Sequence, residues 1–533
     1  MQIKDGLVQG FRLFFMGGNI AAENLKTEEA GAKVGPAKTS YGQILKSSAL
    51  IGGSSVINIV LGMVRTKVMA VLLGPGGVGL MGMYNSIIDT ARTLSGMGMG
   101  TSGIRQIAEA VGTGEQVRIA RTAKTLKHSV MVLGVLGAFL VILFRNPICR
   151  LTFGNQEHAG AIAILAVTVL LASVSNGQVA LLQGVRRIGD LARLSVLGAL
   201  LGTVLGIPII YFWGEQGIVP LILTTSAMTV LTSWWYARKV RLSKVAMGFG
   251  DIRSEASAML KLGIVFMATV LVANGVAYGT RVIIMRHLGV AMVGLYQAAW
   301  TMSTLYVDFI LQAMGKDFYP RLTAVSKDNT ACNRLVNEQA EVGLLLAAPG
   351  ILGTLTFASL VLSLFYSAKF APAVEILRWQ ILGMFLRVTS WPMVFILIAK
   401  GKGKLYFAME VLAQSLHIGL IWLGIAWWGL RGVGMAFVVY NLFYWCVTFV
   451  VVRKLTGFAW SPANRRFAMA IAAPVLVAFL APYFLIRVWA MVAGAAATLL
   501  IGLFSFKALH AITGSRNVLA SLANVLGLGT KRM

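Results

Sequence analysis

The chain has 533 residues, 57% of them hydrophobic and only 12% charged, with a mean hydropathy of +0.77. That is too little charge to solvate a soluble protein of this size, and apolar runs of about 20 residues recur along it, long enough to cross a bilayer as helices. The net charge of +28 does not argue for nucleic acid, because a helical membrane protein keeps such a surplus in its cytoplasmic loops. The short alternating strands of a transmembrane barrel are missing from the pattern.

In chain order, residues 1–43 read as a cytoplasmic tail. The run Gly10-Phe11-Arg12-Leu13-Phe14-Phe15-Met16 is short and lies in a mixed-charge stretch, unlike a cleavable signal peptide. Six spans follow, at about 44–72, 78–100, 128–145, 159–181, 193–213 and 217–237. A linker at 241–259 leads to a second six, at about 260–286, 291–314, 341–364, 376–399, 405–428 and 432–452. An extra pair spans about 467–487 and 489–507, and a tail closes the chain. The domains read accordingly as 1–43, an N-lobe at 44–240, the linker at 241–259, a C-lobe at 260–455, extra helices at 456–507 and a cytoplasmic tail at 508–533. The loops near 101–127, 238–259 and 315–340 are the long ones and are expected to form short surface helices. The fold class is an all-α polytopic bundle of about 14 transmembrane helices.

The two sets of six repeat each other. Leu73-Gly74-Pro-Gly-Gly-Val78-Gly79-Leu80 returns as Leu288-Gly289-Val-Ala-Met-Val293-Gly294-Leu295. Trp213-Gly214 and Gly217 return as Trp428-Gly429 and Gly432, and Arg238-Lys239 returns as Arg453-Lys454. All stand 215 positions apart. An even number of spans per repeat makes the two halves parallel, with a site expected between them. With the N-terminus inside, the even-numbered loops hold about 25 Lys and Arg and the odd-numbered loops about five, so both termini are expected in the cytoplasm.

Polar groups inside spans cannot face lipid and must face other helices or water. The second span carries Tyr84, Asn85, Asp89 and Arg92. The eighth, its repeat partner, carries Gln297, Thr301, Asp308 and Gln312. A shared polar cleft follows, with interhelical hydrogen bonding as the plainer alternative. Arg65, Lys67, Arg92, Arg281 and Arg286 are the cationic candidates. Guanidinium groups suit phosphate oxygens bidentately, and snorkelling to headgroups is the competing role. Asp89 and Asp308 complete the candidate substrate site. Asp89, Asp308, Arg387 and Glu410 are candidates for ion coupling or structural pairing. Asp89 with Arg92, and Glu410 with Arg387, are the pairings that spacing suggests. His417 is a further proton-relay candidate, and Tyr84, Trp300 and Tyr306 are candidate sugar-stacking rings.

No phosphate-binding loop, nucleophile elbow or zinc-protease motif occurs, and no catalytic residue, metal site or cofactor is implied. Cys149, Cys332 and Cys446 have no ligand spacing.

Three stretches resemble a known family: Leu73–Leu80, Lys369-Phe-Ala-Pro-Ala-Val-Glu-Ile-Leu-Arg-Trp-Gln-Ile-Leu-Gly383, and Leu397-Ile-Ala-Lys-Gly-Lys-Gly-Lys-Leu-Tyr-Phe-Ala-Met-Glu-Val-Leu412. In that order they resemble the Wzx-type flippases of the multidrug/oligosaccharidyl-lipid/polysaccharide exporter superfamily, over about 40–455. The O-antigen and enterobacterial common antigen translocases are nearer than the drug exporters. The resemblance implies a V-shaped pair of lobes working by alternating access in the bacterial inner membrane. The implied cargo is an undecaprenyl-pyrophosphate-linked oligosaccharide moved from the cytoplasmic to the periplasmic leaflet. Membrane lipids, a polysaccharide polymerase and a chain-length regulator are the implied partners. The extra helix pair is similar to that of lipid II flippases. A lipid II-type flippase and a drug or cation antiporter of the same superfamily are the alternatives. A membrane-embedded polymerase or ligase is disfavoured for want of a large noncytoplasmic loop.

Overall fold

The computed structural model describes residues 38–513 apart from position 244, and these are helical with no strand among them. The tails expected at 1–43 and 508–533 fall mostly outside the described residues. The first helix, α1 (Lys38–Gly96), crosses twice, because Gly74 breaks it with φ 65° and ψ −166°. Only glycine adopts that conformation without a Cβ penalty, and Pro75, which lacks an N–H, cannot continue the ladder.

The chain continues through α2 (Met99–Thr113), α3 (Gln116–Leu143), α4 (Arg145–Phe153), α5 (Ala159–Gly184), α6 (Ile188–Trp213) and α7 (Ile218–Ala237). The second set comprises α8 (Phe249–Leu288), α9 (Val290–Ala324), α10 (Asn329–Thr356), α11 (Ala358–Phe365), α12 (Ala373–Ala399), α13 (Gly403–Trp428) and α14 (Leu430–Thr456). The last two are α15 (Pro462–Phe484) and α16 (Arg487–Thr513). Gly289, between α8 and α9, repeats the Gly74 break with φ 90° and ψ 170°. Gly214 (φ 53°, ψ −131°) and Gly429 (φ 57°, ψ −138°) close α6 and α13 in the same way. The sequence repeat is therefore a repeat of backbone turns.

Ten described stretches are long and apolar enough to cross a membrane, so this is a multi-pass membrane protein. Two of the ten are double: Gly53–Gly96 contains the Gly74 break, and Ile188–Ala237 contains the Gly214–Gly217 turn. α8 and α9 bring the crossings to fourteen.

Element boundaries depart from the sequence reading most at four places. The third span starts at Gln116, the seventh at Phe249, inside the linker expected at 241–259, and the ninth at Asn329. The long loop expected at 315–340 does not exist: α9 runs to Ala324, and Asp328 caps α10 by accepting from the Thr330 and Ala331 amides at 2.8 and 3.1 Å. Helical turns that extend past the membrane edge are polar, so hydropathy does not register them. Of the surface helices expected at 101–127, α2 is the one that forms. It buries Met99, Ser102, Gly103, Ile107 and Ala110, one face at helical spacing, against α3 and α5.

One end of the bundle carries the breaks at Gly74, Gly214, Gly289 and Gly429, and is called here the glycine end. The other carries Arg238-Lys239 and Lys400–Lys404, and is called the basic end. α8 packs on both sets: on α2, α3 and α4 of the first, and on α9 and α13 of the second.

The final pair is fastened to the second set through α10 and α12. Pro482 has no N–H, so the carbonyl of Ala478 lacks its helical donor. The buried Arg378 of α12 supplies one: its Nη2 donates to the Ala478 carbonyl at 3.1 Å and also to that of Phe479. The Phe479 and Tyr483 rings lie 5.4 and 5.6 Å from its guanidinium carbon.

Candidate functional site

A cavity of about 330 Å³ lies between the two sets. Its walls come from both arms of α1, from α8 and α9, and from Tyr366. On the second arm of α1, Asn85, Ser86 and Asp89 face it at spacings of three and four, so they share one side of the helix. Arg65 enters from the first arm and Arg281 from α8. Arg281 is held flat: Nε and Nη2 donate to Gln297 Oε1 at 3.0 and 2.7 Å, and Nη1 to the Ala277 carbonyl at 2.9 Å. Gln297 is fixed in turn by donating to Thr301 Oγ1 at 3.2 Å. These acceptors are neutral and leave the guanidinium charge uncancelled.

Arg65 has neither ion pair nor hydrogen bond among the described residues. The one carboxylate on the cavity, Asp89, is 3.5 Å from Arg92 on the same helix. Arg92 thus answers Asp89, and Arg65 and Arg281 remain as two uncompensated cations on one cavity. An intramembrane charge without a partner marks a ligand path more often than a structural contact.

The other cationic candidates lie elsewhere. Lys67 donates from Nζ to the Ser363 carbonyl on α11 at 2.8 Å, and Arg286 donates from Nη1 to the Arg150 carbonyl on α4 at 3.0 Å. Each ties one set to the other near the glycine end, and neither lines the cavity. Arg92 and Thr93 line a separate cavity of about 320 Å³ beside α2, α3, α5 and α8, and Asn274 bridges to it by donating to Thr93 Oγ1 at 2.8 Å.

The pairing of Glu410 with Arg387 is not made. Arg387 Nη2 meets Asp308 of α9 at 3.1 Å. Glu410 instead accepts from the Tyr444 hydroxyl at 3.0 Å and from Gln414 Nε2 at 2.9 Å. The spacing along each helix was compatible with either choice, and packing of α9 against α12 decides it.

Arg387 and Glu410 line a second cavity, of about 430 Å³, walled by α8, α9, α12, α13 and α14. It is the aromatic one. Trp300 faces it, 6.2 Å from Tyr296 in a stacked arrangement, and His417 stacks on Tyr440 at 4.4 Å. Of the three proposed stacking rings, Trp300 alone lines one of these three cavities. Tyr84 is buried and bonded to His158 Nδ1 at 2.9 Å, and Tyr306 donates to the Leu346 carbonyl at 2.7 Å. Sequence reasoning overlooked this cavity and the role of Gln297 as the holder of Arg281. A carboxamide sixteen residues away, across a helix break, gives no local signal.

Residues 68–375, more than half of the chain, match the family described as polysaccharide biosynthesis protein. The chain belongs to that family. In this family member the matched stretch includes Arg281, Gln297 and Tyr366, while Arg65 stands just ahead of it. The lipid III flippase of Escherichia coli (strain K12) is 24% identical over 378 residues, 69% of this chain and 88% of the relative. A probable low-salt glycan biosynthesis flippase, Agl15, of Haloferax volcanii is 22% identical over 57% of this chain and 61% of its own. Among solved structures, an inward-facing multidrug resistance MATE family transporter of the MOP superfamily superposes with a TM-score of 0.64 at 17% identity, over 75% of this chain and 94% of that one. The lipid II flippase MurJ, in an inward closed conformation, gives 0.60 at 13% identity, over 87% and 100%. The fold is that of this transporter superfamily.

Proposed function

We propose that this chain is a flippase for lipid-linked oligosaccharides, moving an undecaprenyl-pyrophosphate-borne glycan from the cytoplasmic to the periplasmic leaflet of the inner membrane. One observation carries the reading: two uncompensated guanidinium groups, one from each half, face a single intramembrane cavity. Half-buried cations without a carboxylate partner suit a diphosphate, whose oxygens accept paired N–H donors. The same charges repel a cationic drug. Family membership and the likeness to a lipid III flippase over 69% of the chain support the reading.

In this reading residues 44–240 and 260–455 are the two lobes, and the basic end is cytoplasmic by the positive-inside rule. The lobes touch backbone to backbone at both ends, Gly79 against the Val290 carbonyl at the glycine end and Gly98 against the Gly263 carbonyl at the basic end, and in this reading the glycine-end contact is the periplasmic seal. Alternating access would break that contact and expose the cavity to the other side. A polysaccharide polymerase and a chain-length regulator are the expected receivers of the product.

The test is surface-glycan display in a flippase-null strain complemented at matched protein level. One charged hydrogen bond to phosphate is worth about 1.5–3 kcal/mol, so Arg65→Ala or Arg281→Ala should slow export about tenfold to a hundredfold. Near-normal display from the double variant overturns the proposal.

A further inference from the structure

We infer that the second cavity seats the sugar joined directly to the diphosphate, so that phosphate and glycan are read by adjoining pockets. This rests on the functional reading above and deepens it. The geometric reason is that Arg281 and Ala277 line both cavities. A ligand group held at Arg281 in the first has its next covalent neighbour at the mouth of the second. In a lipid-linked oligosaccharide the group bonded to the diphosphate on the side away from the lipid is a sugar.

The chemistry of the second cavity fits that neighbour. Flat apolar faces are supplied by Trp300 and Tyr440, which suit the C–H face of a pyranose ring. Beside them stand groups that hold hydroxyls from both directions. Glu410 is fixed by two neutral donors, Tyr444 and Gln414, and a carboxylate has about four acceptor sites, so it retains capacity for sugar O–H groups. Arg387 is anchored by Asp308 through Nη2, its Nη1 makes only a weak 3.9 Å contact with Met384 Sδ, and it offers its other N–H groups to ring or hydroxyl oxygens.

A lipophilic cation fits less well. Glu410 is the one acidic residue lining this cavity, and Arg281 and Arg387 line it as well. A neutral, hydroxyl-rich ligand uses both signs of group at once, which a cation cannot.

The experiment uses the full chain in lipid nanodiscs and two probes: undecaprenyl diphosphate alone, and undecaprenyl diphosphate carrying one hexose. Binding of each is titrated for wild type and for the Trp300→Leu, Glu410→Gln, Tyr444→Phe and Arg65→Ala variants. Wild type should bind the glycosylated probe about tenfold more tightly than the bare one, the equivalent of about 1.4 kcal/mol. Trp300→Leu and Glu410→Gln should abolish that preference while leaving the bare probe unchanged, which also reports that each variant is folded. Tyr444→Phe, which removes one hydroxyl, should reduce the preference in part. Arg65→Ala should weaken both probes equally. Equal binding of the two probes by wild type, or an undiminished preference in Trp300→Leu and Glu410→Gln, overturns the sugar subsite. So does a variant that loses both probes together, since none of these three side chains lines the first cavity. Failure of Arg65→Ala to weaken either probe counts against the diphosphate reading instead, so the two failures are told apart.

Discussion

Gly79 and Gly294, 215 positions apart in the chain, pack backbone to backbone where the two halves meet. A Cβ on Gly79 would lie 2.0 Å from the Val290 carbonyl oxygen, and a Cβ on Gly294 would lie 1.9 Å from that of Pro75. Val290 and Pro75 are themselves 215 apart, so the contact is symmetric about the axis relating the repeats. Nothing but hydrogen fits there, and backbone cannot move aside as a flexible side chain does.

Gly79→Ala and Gly294→Ala should each push the protein out of the conformation shut at the glycine end. Overpacking costs about 1–3 kcal/mol, comparable to the gap between transporter states, so the population should shift about tenfold. Spin-label distances across the glycine end, between positions 73 and 288, measure the opening. Gly82→Ala is the control, since its Cβ would meet only the Gln297 side chain, Oε1 at 3.6 Å and Cγ at 3.8 Å, both ordinary contacts. No lengthening in Gly79→Ala would show that the contact does not hold the closed state.

Lysine should not replace the two arginines equally. Arg281 uses three nitrogens on Gln297 and Ala277, a fork that an ammonium cannot reproduce, so Arg281→Lys should behave nearly as badly as Arg281→Ala. Arg65 has no such framework to lose, and Arg65→Lys should restore a substantial part of glycan display. Equal rescue at both positions would mean that charge alone matters.

Orientation is checked by labelling single cysteines from outside the cell. Cysteines at 215, 430 and 488, at the glycine end, should react in spheroplasts, and those at 241 and 402 should not. Cys149 and Cys332 are buried and Cys446 faces outward within the twelfth span, so all three are replaced before labelling. Reaction at 402 from outside would invert the topology.

The partner of Arg387 is open to a double-mutant cycle. Asp308→Asn and Arg387→Gln should couple, by about 1 kcal/mol or less, because both side chains are about a third exposed and partly solvated. Glu410→Gln and Arg387→Gln should add independently in the thermal stability of the purified protein. Coupling of Arg387 to Glu410 but not to Asp308 would contradict the observed pair.

His158 gives a pH dependence outside the spans. Burial pulls its imidazole below the ordinary 6.5, with Glu157 opposing weakly. The unfolded chain then takes up the proton first as pH falls, so stability is full above about 6.5 and declines below it. Wild type should lose more thermal stability than His158→Gln between about pH 7 and 5.5. Parallel losses would remove His158 from the account.

The sequence made the fold legible because its signals are local and repeated. Gly74 and Gly289, or Gly214 and Gly429, announce the same turn twice, and apolar runs between them are long. It failed where a helix outruns the membrane, as at Asn329–Glu341, since those turns are polar and read as loop. Arg65 and Arg281 could be suspected because an arginine inside an apolar run is conspicuous on its own. What each one touches was beyond reach. Asp308 reaches Arg387 across 79 residues and Lys67 reaches Ser363 across 296. Such choices are made by helix packing, which periodicity does not encode.

Arg378 has a consequence for motion. By stitching α15 to α12 at the carbonyl that Pro482 leaves open, it makes the C-terminal hairpin a passenger of the second half. Under the alternating access proposed above, the hairpin would travel with that half when the glycine-end contact parts, and the first half would recede from it. An acyl or prenyl chain resting against the hairpin would be carried along the bilayer in step with the moving half, with no machinery of its own.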